Sequence, residues 1–280
     1  MKKKDLETLK SVLKLKQNDL QKAMYYFLKK FYKNVIYTNN YLLAFGDIPI
    51  ALVAHMDTVH PTIPREIFLD QEKEVMWSPQ GLGADDRAGV YAIIAIVKRG
   101  LRPNIILTTD EEIGGLGAAA LIRSFEKSPF SGQLKFIIEL DRAHKNDCVF
   151  YNCDNKDFVD YISSFGFVFE YGTFTDISII APKWKVAAVN LSVGYYQEHS
   201  LGEHLVLPQL EETINKVIEI LVDEDSKYYE YVDNRQRMIN QYDCTCLMCQ
   251  KNLKPMEGFI VTFGQFSYTT CEDCYDDLIF

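Results

Sequence analysis

No stretch of this chain approaches the ~20 apolar residues that a membrane-spanning helix needs, and its N-terminus has no apolar core of the kind that directs export. No internal repeat and no low-complexity linker is visible. A phosphate-binding loop is also missing. Gly114, Gly115 and Gly117 cluster, but they lack the Lys-Ser/Thr of such a loop and follow two acids that would repel phosphate. Basic residues are sparse beyond the first 33 positions, which hold ten lysines against three acids. The formal charge of the whole chain is −9, which disfavours nucleic acid as a partner. A disulfide framework is absent too: seven cysteines is an odd number, and four of them stand in C-x-x-C steps, a pattern of metal thiolates in a reducing compartment. The expectation is a cytoplasmic protein that does not engage a membrane.

What is present is ample material for one core, with 48% hydrophobic and 25% charged residues in 280. That length predicts one α/β domain and a small appendage. The expected division is 1–33, 34–240 and 241–280. In the first segment Leu6, Leu9, Val12 and Leu13 share a helix face, and Asn18 or Asp19 can cap a second helix; its lysines read as the wet face of docked helices. A hairpin over 35–44 and small strands near 67–69 and 75–77 follow.

Four apolar runs end in acids or histidine. Ile50–Ala54 ends in His55-Met56-Asp57; Ile105–Leu107 ends in Thr108-Thr109-Asp110-Glu111-Glu112; Phe136–Ile138 ends in Glu139-Leu140-Asp141; and 186–191 leads to His199. Short apolar runs closed by polar residues predict buried parallel strands whose C-terminal ends gather function. A fifth stretch, Gly81-Leu82-Gly83-Ala84-Asp85-Asp86-Arg87-Ala88-Gly89, sits at the mouth of an apolar helix. Alone it reads as a capped helix start with Arg87 in solvent. Beside the other four it describes a metal site, because adjacent carboxylates are costly to bury without a cation.

The order His55-x-Asp57, Gly83-Ala84-Asp85-Asp86-Arg87, Asp110-Glu111-Glu112, Leu140-Asp141 and His199 resembles the co-catalytic zinc exopeptidases. That superfamily includes peptidase T, glutamate carboxypeptidase, the leucyl-type aminopeptidases of bacterial secretions and the tetrahedron-forming glutamyl aminopeptidases. Thr175-Asp176 and His199-Ser200 with Glu203 also look like the family, and the resemblance runs roughly from Val35 to Val222. Relatives insert a lid after the Asp141-type strand or a domain before the Asp85-type acid. Here only 34 residues separate Asp141 from Asp176, and 27 separate Asp57 from Asp85.

The resemblance implies a mixed, mostly parallel central sheet flanked by helices. It implies two catalytic zinc or other divalent ions bridged by Asp85, one held by His55 and Asp141, the other by Glu112 and His199. Asp57 would fix the His55 ring, Glu111 would be the general base, and the Asp85–Asp86 peptide would be cis. From the residues alone, His204 competes with His199, Glu139 with Asp141, and His60 and His144 stand near enough in sequence to touch substrate. The implied substrate is a small peptide or an acylated amino acid, with the oligomeric state left open. The leading reading is an aminopeptidase. The alternatives are a deacylase or carboxypeptidase on the same site, or an inactive interaction protein.

Beyond Tyr242, Cys246-x-x-Cys249 and Cys271-x-x-Cys274 stand 21 residues apart, the spacing of a four-thiolate structural zinc ribbon. Cys244 could replace Cys246. The acidic end, with Glu272, Asp273, Asp276 and Asp277, argues against nucleic acid there.

Overall fold

The apolar runs that end in acids and histidine form the middle of an eight-stranded sheet. The computed structural model describes residues 1–130, 132–153, 155–233, 238–239, 242–255, 257–263, 266–271 and 274. In chain order the first unit, Met1–Asp233, contains α1 (Lys3–Leu13), α2 (Gln17–Leu28), β1 (Val35–Tyr37), β2 (Tyr41–Ala44), β3 (Ile48–His55), β4 (Phe68–Asp70) and β5 (Val75–Trp77). There follow α3 (Ala84–Lys98), β6 (Pro103–Thr108), α4 (Leu116–Ser124), β7 (Phe136–Arg142), β8 (Asp147–Val149), α5 (Lys156–Ser163) and β9 (Val168–Phe169). The last are α6 (Asp176–Trp184), β10 (Ala188–Ser192), β11 (Tyr195–Tyr196), β12 (His204–Val206) and α7 (Leu207–Val222).

The main sheet runs β1-β2-β6-β3-β7-β10-β8-β9. Its centre is parallel, with β3 between β6 and β7 and β10 beyond β7. Antiparallel β1, β2 and β8 flank it, and β9 adds a short parallel edge. Strands enclosed on both faces read as continuous apolar runs, yet the pleat still sorts their side chains. Ile50, Leu52 and Ala54 of β3 enter the core that includes α3 and α7, whereas Ala51 and Val53 enter the core that includes α4 and α6. In β7, Phe136, Ile138 and Leu140 join the first and Ile137 the second. His55, Glu139 and Asp141 continue the second set. The pairing of Val53 with Glu139 therefore brings His55 level with Asp141, two residues further on.

Helix α3 is buried along its length except at Ala95 and Lys98. A helix apolar on all sides must be covered on all sides, and α1 and α7 pack over it. Leu9, Val12 and Leu13 of α1 are buried in that core. Neither Asn18 nor Asp19 caps α2; the helix starts earlier, with Lys16 at its N-cap and no side-chain bond there. The hairpin of β1 and β2 joins β6 rather than β3, because β6 offers the free edge. A second, antiparallel sheet, β11-β12-β5-β4, carries the two small strands. His199, expected to follow the fourth strand directly, stands in the loop of the β11–β12 hairpin. No helix among the described residues is long and apolar enough to cross a membrane.

The second unit, Asn234–Phe280, has β13 (Met238–Ile239), β14 (Cys244–Thr245), β15 (Asn252–Leu253), β16 (Gly258–Phe263) and β17 (Phe266–Cys271). β14 pairs with β15, and β13, β16 and β17 form a three-stranded antiparallel sheet. Glu272, Asp273, Asp276 and Asp277 lie outside the described residues.

Candidate metal centre

Strands β3, β6 and β7 deliver their polar ends to one edge of the sheet, and two loops close over it. The first loop turns at Gly83, whose φ of +67° favours glycine, and presents Asp85 and Asp86 through a cis peptide. Their backbone is non-helical, so the regular helix begins at Arg87.

The two aspartates divide the possibilities that the sequence left together. Asp86 is the helix cap: its Oδ1 accepts from Gly89 N–H at 3.1 Å and its Oδ2 from His55 N–H at 3.1 Å. Asp85 turns to the histidines. Its Oδ1 lies 3.2 Å from His55 Nε2 and its Oδ2 lies 3.2 Å from His199 Nε2. His55 Nε2 is also 3.5 Å from Asp141 Oδ1, and His199 Nε2 is 3.0 Å from Glu112 Oε2. Two half-sites thus share one carboxylate. Ligand-capable atoms of His55, Asp85 and Glu112 lie within 4.8 Å of one another, as do those of His55, Asp86 and Asp141. In the second set Asp86 is already spent on two backbone donors, so it is an anchor rather than a free oxygen donor.

Buried supports orient each group. Asp57 Oδ1 lies 3.1 Å from His55 Nδ1, leaving Nε2 to face Asp85 and Asp141. Asp57 also accepts from Glu111 and Glu112 N–H at 3.1 and 3.0 Å, so it locks the loop after β6 as well. Asp141 accepts from Thr175 Oγ1 at 2.9 Å and Tyr195 OH at 3.2 Å, while Asn190 bonds its backbone on both sides. Glu203, buried, accepts from Gly83 N–H at 2.6 Å, Asp85 N–H at 2.9 Å and His60 Nε2 at 2.7 Å. It holds the Asp85 loop in place.

The candidates separate cleanly. His204 bonds Gly202 O and stacks on Tyr196, away from Asp85. His144 is half exposed and faces Asp147 at 3.4 Å. His60 braces Glu203. Glu139 is fully buried, and neither carboxyl oxygen has a hydrogen-bond partner. Arg87, expected in solvent, is buried, with Nη1 donating to Leu13 O at 3.2 Å. The roles of Glu203, Tyr195, Asn190 and Arg87 have no local sequence signal; only the His199-Ser200 and Glu203 pattern hinted at the first.

The charges fit a cation. Burial and neighbouring carboxylates push Glu111 up to about 9, Glu112 to about 7, Asp176 to about 7 and Asp141 to about 6. Glu139 is held well above the carboxylate range by burial and by Asp141. Although burial opposes it, hydrogen bonds from His199 and His55 hold Asp85 well below that range. The bond to Asp85 raises His199 to about 9. So many buried acids destabilise one another unless positive charge enters, and Glu112 Oε1, buried and without a partner, is an open donor. Imidazole and carboxylate oxygen in two clusters sharing one acid suit divalent zinc or a similar ion.

In the second unit Cys246, Cys249, Cys271 and Cys274 bring their sulfurs within 4.8 Å of one another, and Cys244 is outside the cluster. Burial opposes ionisation of Cys246, but N–H groups of Cys249, Cys271 and Met248 lower its thiol to about 6. Four thiols converging on one point, one already poised as thiolate, fit a tetrahedral cation.

No protein-family model and no curated protein matches the sequence. Solved structures do. A tripeptidase from Staphylococcus aureus matches with a TM-score of 0.62 at 14% identity, over 78% of this chain and 96% of its own. Aminopeptidase PepT from Bacillus cereus matches at 0.61 and 14%, over 78% and 97%. The TET1 peptidase of Pyrococcus horikoshii, which assembles into a tetrahedron or an octahedral shell, matches at 0.58 and 15%, over 78% and 99%. The chain has the fold of these peptidases.

Proposed function

We propose that the protein is a metallo-exopeptidase, an aminopeptidase acting on short peptides. The observation that carries this reading is Asp85 standing between His55 and His199 with one oxygen towards each. His55, Asp85 and Asp141 would hold one divalent ion, and Asp85, Glu112 and His199 the other. Such a pair supplies polarisation of the scissile carbonyl and acidification of water.

The chain's own groups do the rest. Asp57 keeps the His55 proton on Nδ1 and its lone pair on Nε2. Glu111 belongs to neither half-site, yet its Oε2 is 4.0 Å from His55 Nε2. It takes the proton of the attacking water and returns it to the leaving amine. The acidic surroundings favour a substrate ammonium over an acylated nitrogen.

The first helices and 34–240 act together as the catalytic part, and 241–280 is a structural zinc ribbon without catalytic groups. The C-x-x-C steps suit the reducing setting of a cytoplasmic protein. Metal analysis should return about three zinc ions per chain. Free-amine dipeptides and tripeptides should be cleaved faster than their N-acetylated counterparts. The reverse order would replace this reading with a deacylase or carboxypeptidase.

A further inference from the structure

Beside the metal centre lies a pocket of about 600 Å³ whose wall includes Asp57 and Glu112 on one side and Lys16 and Gln17 on the other. That volume is in the range of small-molecule sites. The N-terminal segment is pinned there: Gln17 Nε2 donates to Asp110 Oδ1 at 3.0 Å, and Gln17 Oε1 accepts from Asp110 N–H at 3.2 Å. The backbone at Lys16 is therefore held beside the loop that carries Glu111 and Glu112.

The charges in the pocket are not evenly spent. Its acids have partners: Asp57 in His55 and two backbone N–H groups, Asp110 in Gln17 and Thr109, and Glu112 in His199 through Oε2, with Oε1 left open towards the metal site. Its two cations keep open donors, although Arg87 Nη1 donates to Leu13 O. Lys16 is exposed and its ammonium has no partner among the described residues. Arg87 also lines the pocket; it is 2% exposed, and its Nε has no hydrogen-bond partner. No side chain caps the N-terminus of α2, so its positive end adds to the same field.

We propose that this pocket binds a substrate carboxylate, with Lys16 as the specificity-determining residue and Arg87 behind it. The substrate is then a short peptide that offers its amine to the metal centre and a carboxylate, at its C-terminus or on an acidic side chain, to Lys16. This deepens the peptidase reading and rests on it.

The test compares three peptides of one length: a neutral free acid, its C-terminal amide, and an amide bearing a glutamate side chain. In the wild-type protein kcat/KM should favour at least one carboxylate-bearing peptide over the neutral amide by ~10-fold or more, the size of one charge-assisted hydrogen bond. Whichever peptide is favoured identifies the source of the carboxylate. Lys16→Gln should remove most of that preference through KM, Lys16→Glu should remove it wholly, and Lys16→Arg should keep it. Equilibrium binding of the same peptides to the Glu111→Gln protein reads the pocket without turnover. Binding that discriminates through Lys16 in a protein that hydrolyses no peptide would sink the peptidase reading and leave the pocket standing. Hydrolysis or binding indifferent to the carboxylate, or a preference unchanged in Lys16→Gln and Lys16→Glu, overturns the assignment.

Discussion

Glu111 and Glu112 are neighbours in sequence, are both pushed up by burial, and are both tied to Asp57 through their N–H groups. Their side chains diverge. Glu112 reaches His199 at 3.0 Å, and its second oxygen is open, whereas Glu111 reaches only to 4.0 Å from His55. Glu111→Gln should keep both metals and lose about 10²–10⁴-fold in kcat, since an amide cannot take up the water's proton. If Glu112 is a ligand as proposed, Glu112→Gln replaces an anionic donor with a weak neutral one, so one zinc should bind poorly and added zinc should restore part of the rate. Metal content and kcat of the two purified variants check this. Zinc loss in Glu111→Gln beside a full complement in Glu112→Gln would reverse the roles.

At the scale of elements, α3 lies so close to β7 that a Cβ on Gly89 would stand 2.1 Å from Leu140 O and 2.5 Å from Asp86 Oδ1. Backbone cannot yield there as a flexible side chain could. Gly89→Ala should cost about 3 kcal/mol of stability through overpacking, and it should disturb Asp86, the cap that also holds His55 N–H. Urea unfolding measures the first effect and metal content the second. An alanine variant of unchanged midpoint would show that the helix can slide. The cysteine unit offers a separate test. Its buried hydrophobic cluster is small, Cys246, Leu253 and Cys271 with Cys244 and Cys274 against it, and units of this size need a metal or similar staple. Cys249→Ser should lose one zinc per chain and expose 234–280 to early proteolysis in the full-length protein. Equal protease resistance with one zinc fewer would show that the unit holds without the ion.

The buried acids of the candidate site also set how the whole molecule responds to pH. In the metal-free protein, Glu111, Glu112, Asp141 and Asp176 have folded-state values of about 9, 7, 6 and 7, above those of unfolded carboxyls. His199 is likewise raised, to about 9. For both kinds of group the folded state binds more protons than the unfolded one. Their contributions are best at low pH, fall from about pH 4.5 for the acids and 6.5 for the histidine, and are exhausted near pH 9. Chelated protein should therefore melt at a lower temperature at pH 8.5 than at pH 6. Zinc needs the same groups deprotonated, so the gap between loaded and chelated protein should widen over that window. Thermal melts at matched ionic strength decide it, and a chelated protein more stable at pH 8.5 would contradict the charge balance described for the site.

The strands, the helix after Asp86, the ordered set of ligand-type residues and the cysteine steps are legible without the fold. Those are local: an apolar run long enough for a strand, closed by acids, carries its own period and its own end. His55 and Asp141 are legible as a pair too, because strand ends collect at one edge of a parallel sheet. The resemblance already singled out Asp85, but which distant groups Asp85 and Asp86 each meet is visible only in the folded chain. The same holds for His199 against His204, set apart by a hairpin turn, and for Glu139, left beneath the site by strand register. Glu203 braces a loop about 120 residues earlier, and Gln17 meets Asp110 across 93 residues, which brings its neighbour Lys16 to the pocket. Such pairings depend on how the chain closes on itself, and a local pattern carries no record of what it will meet.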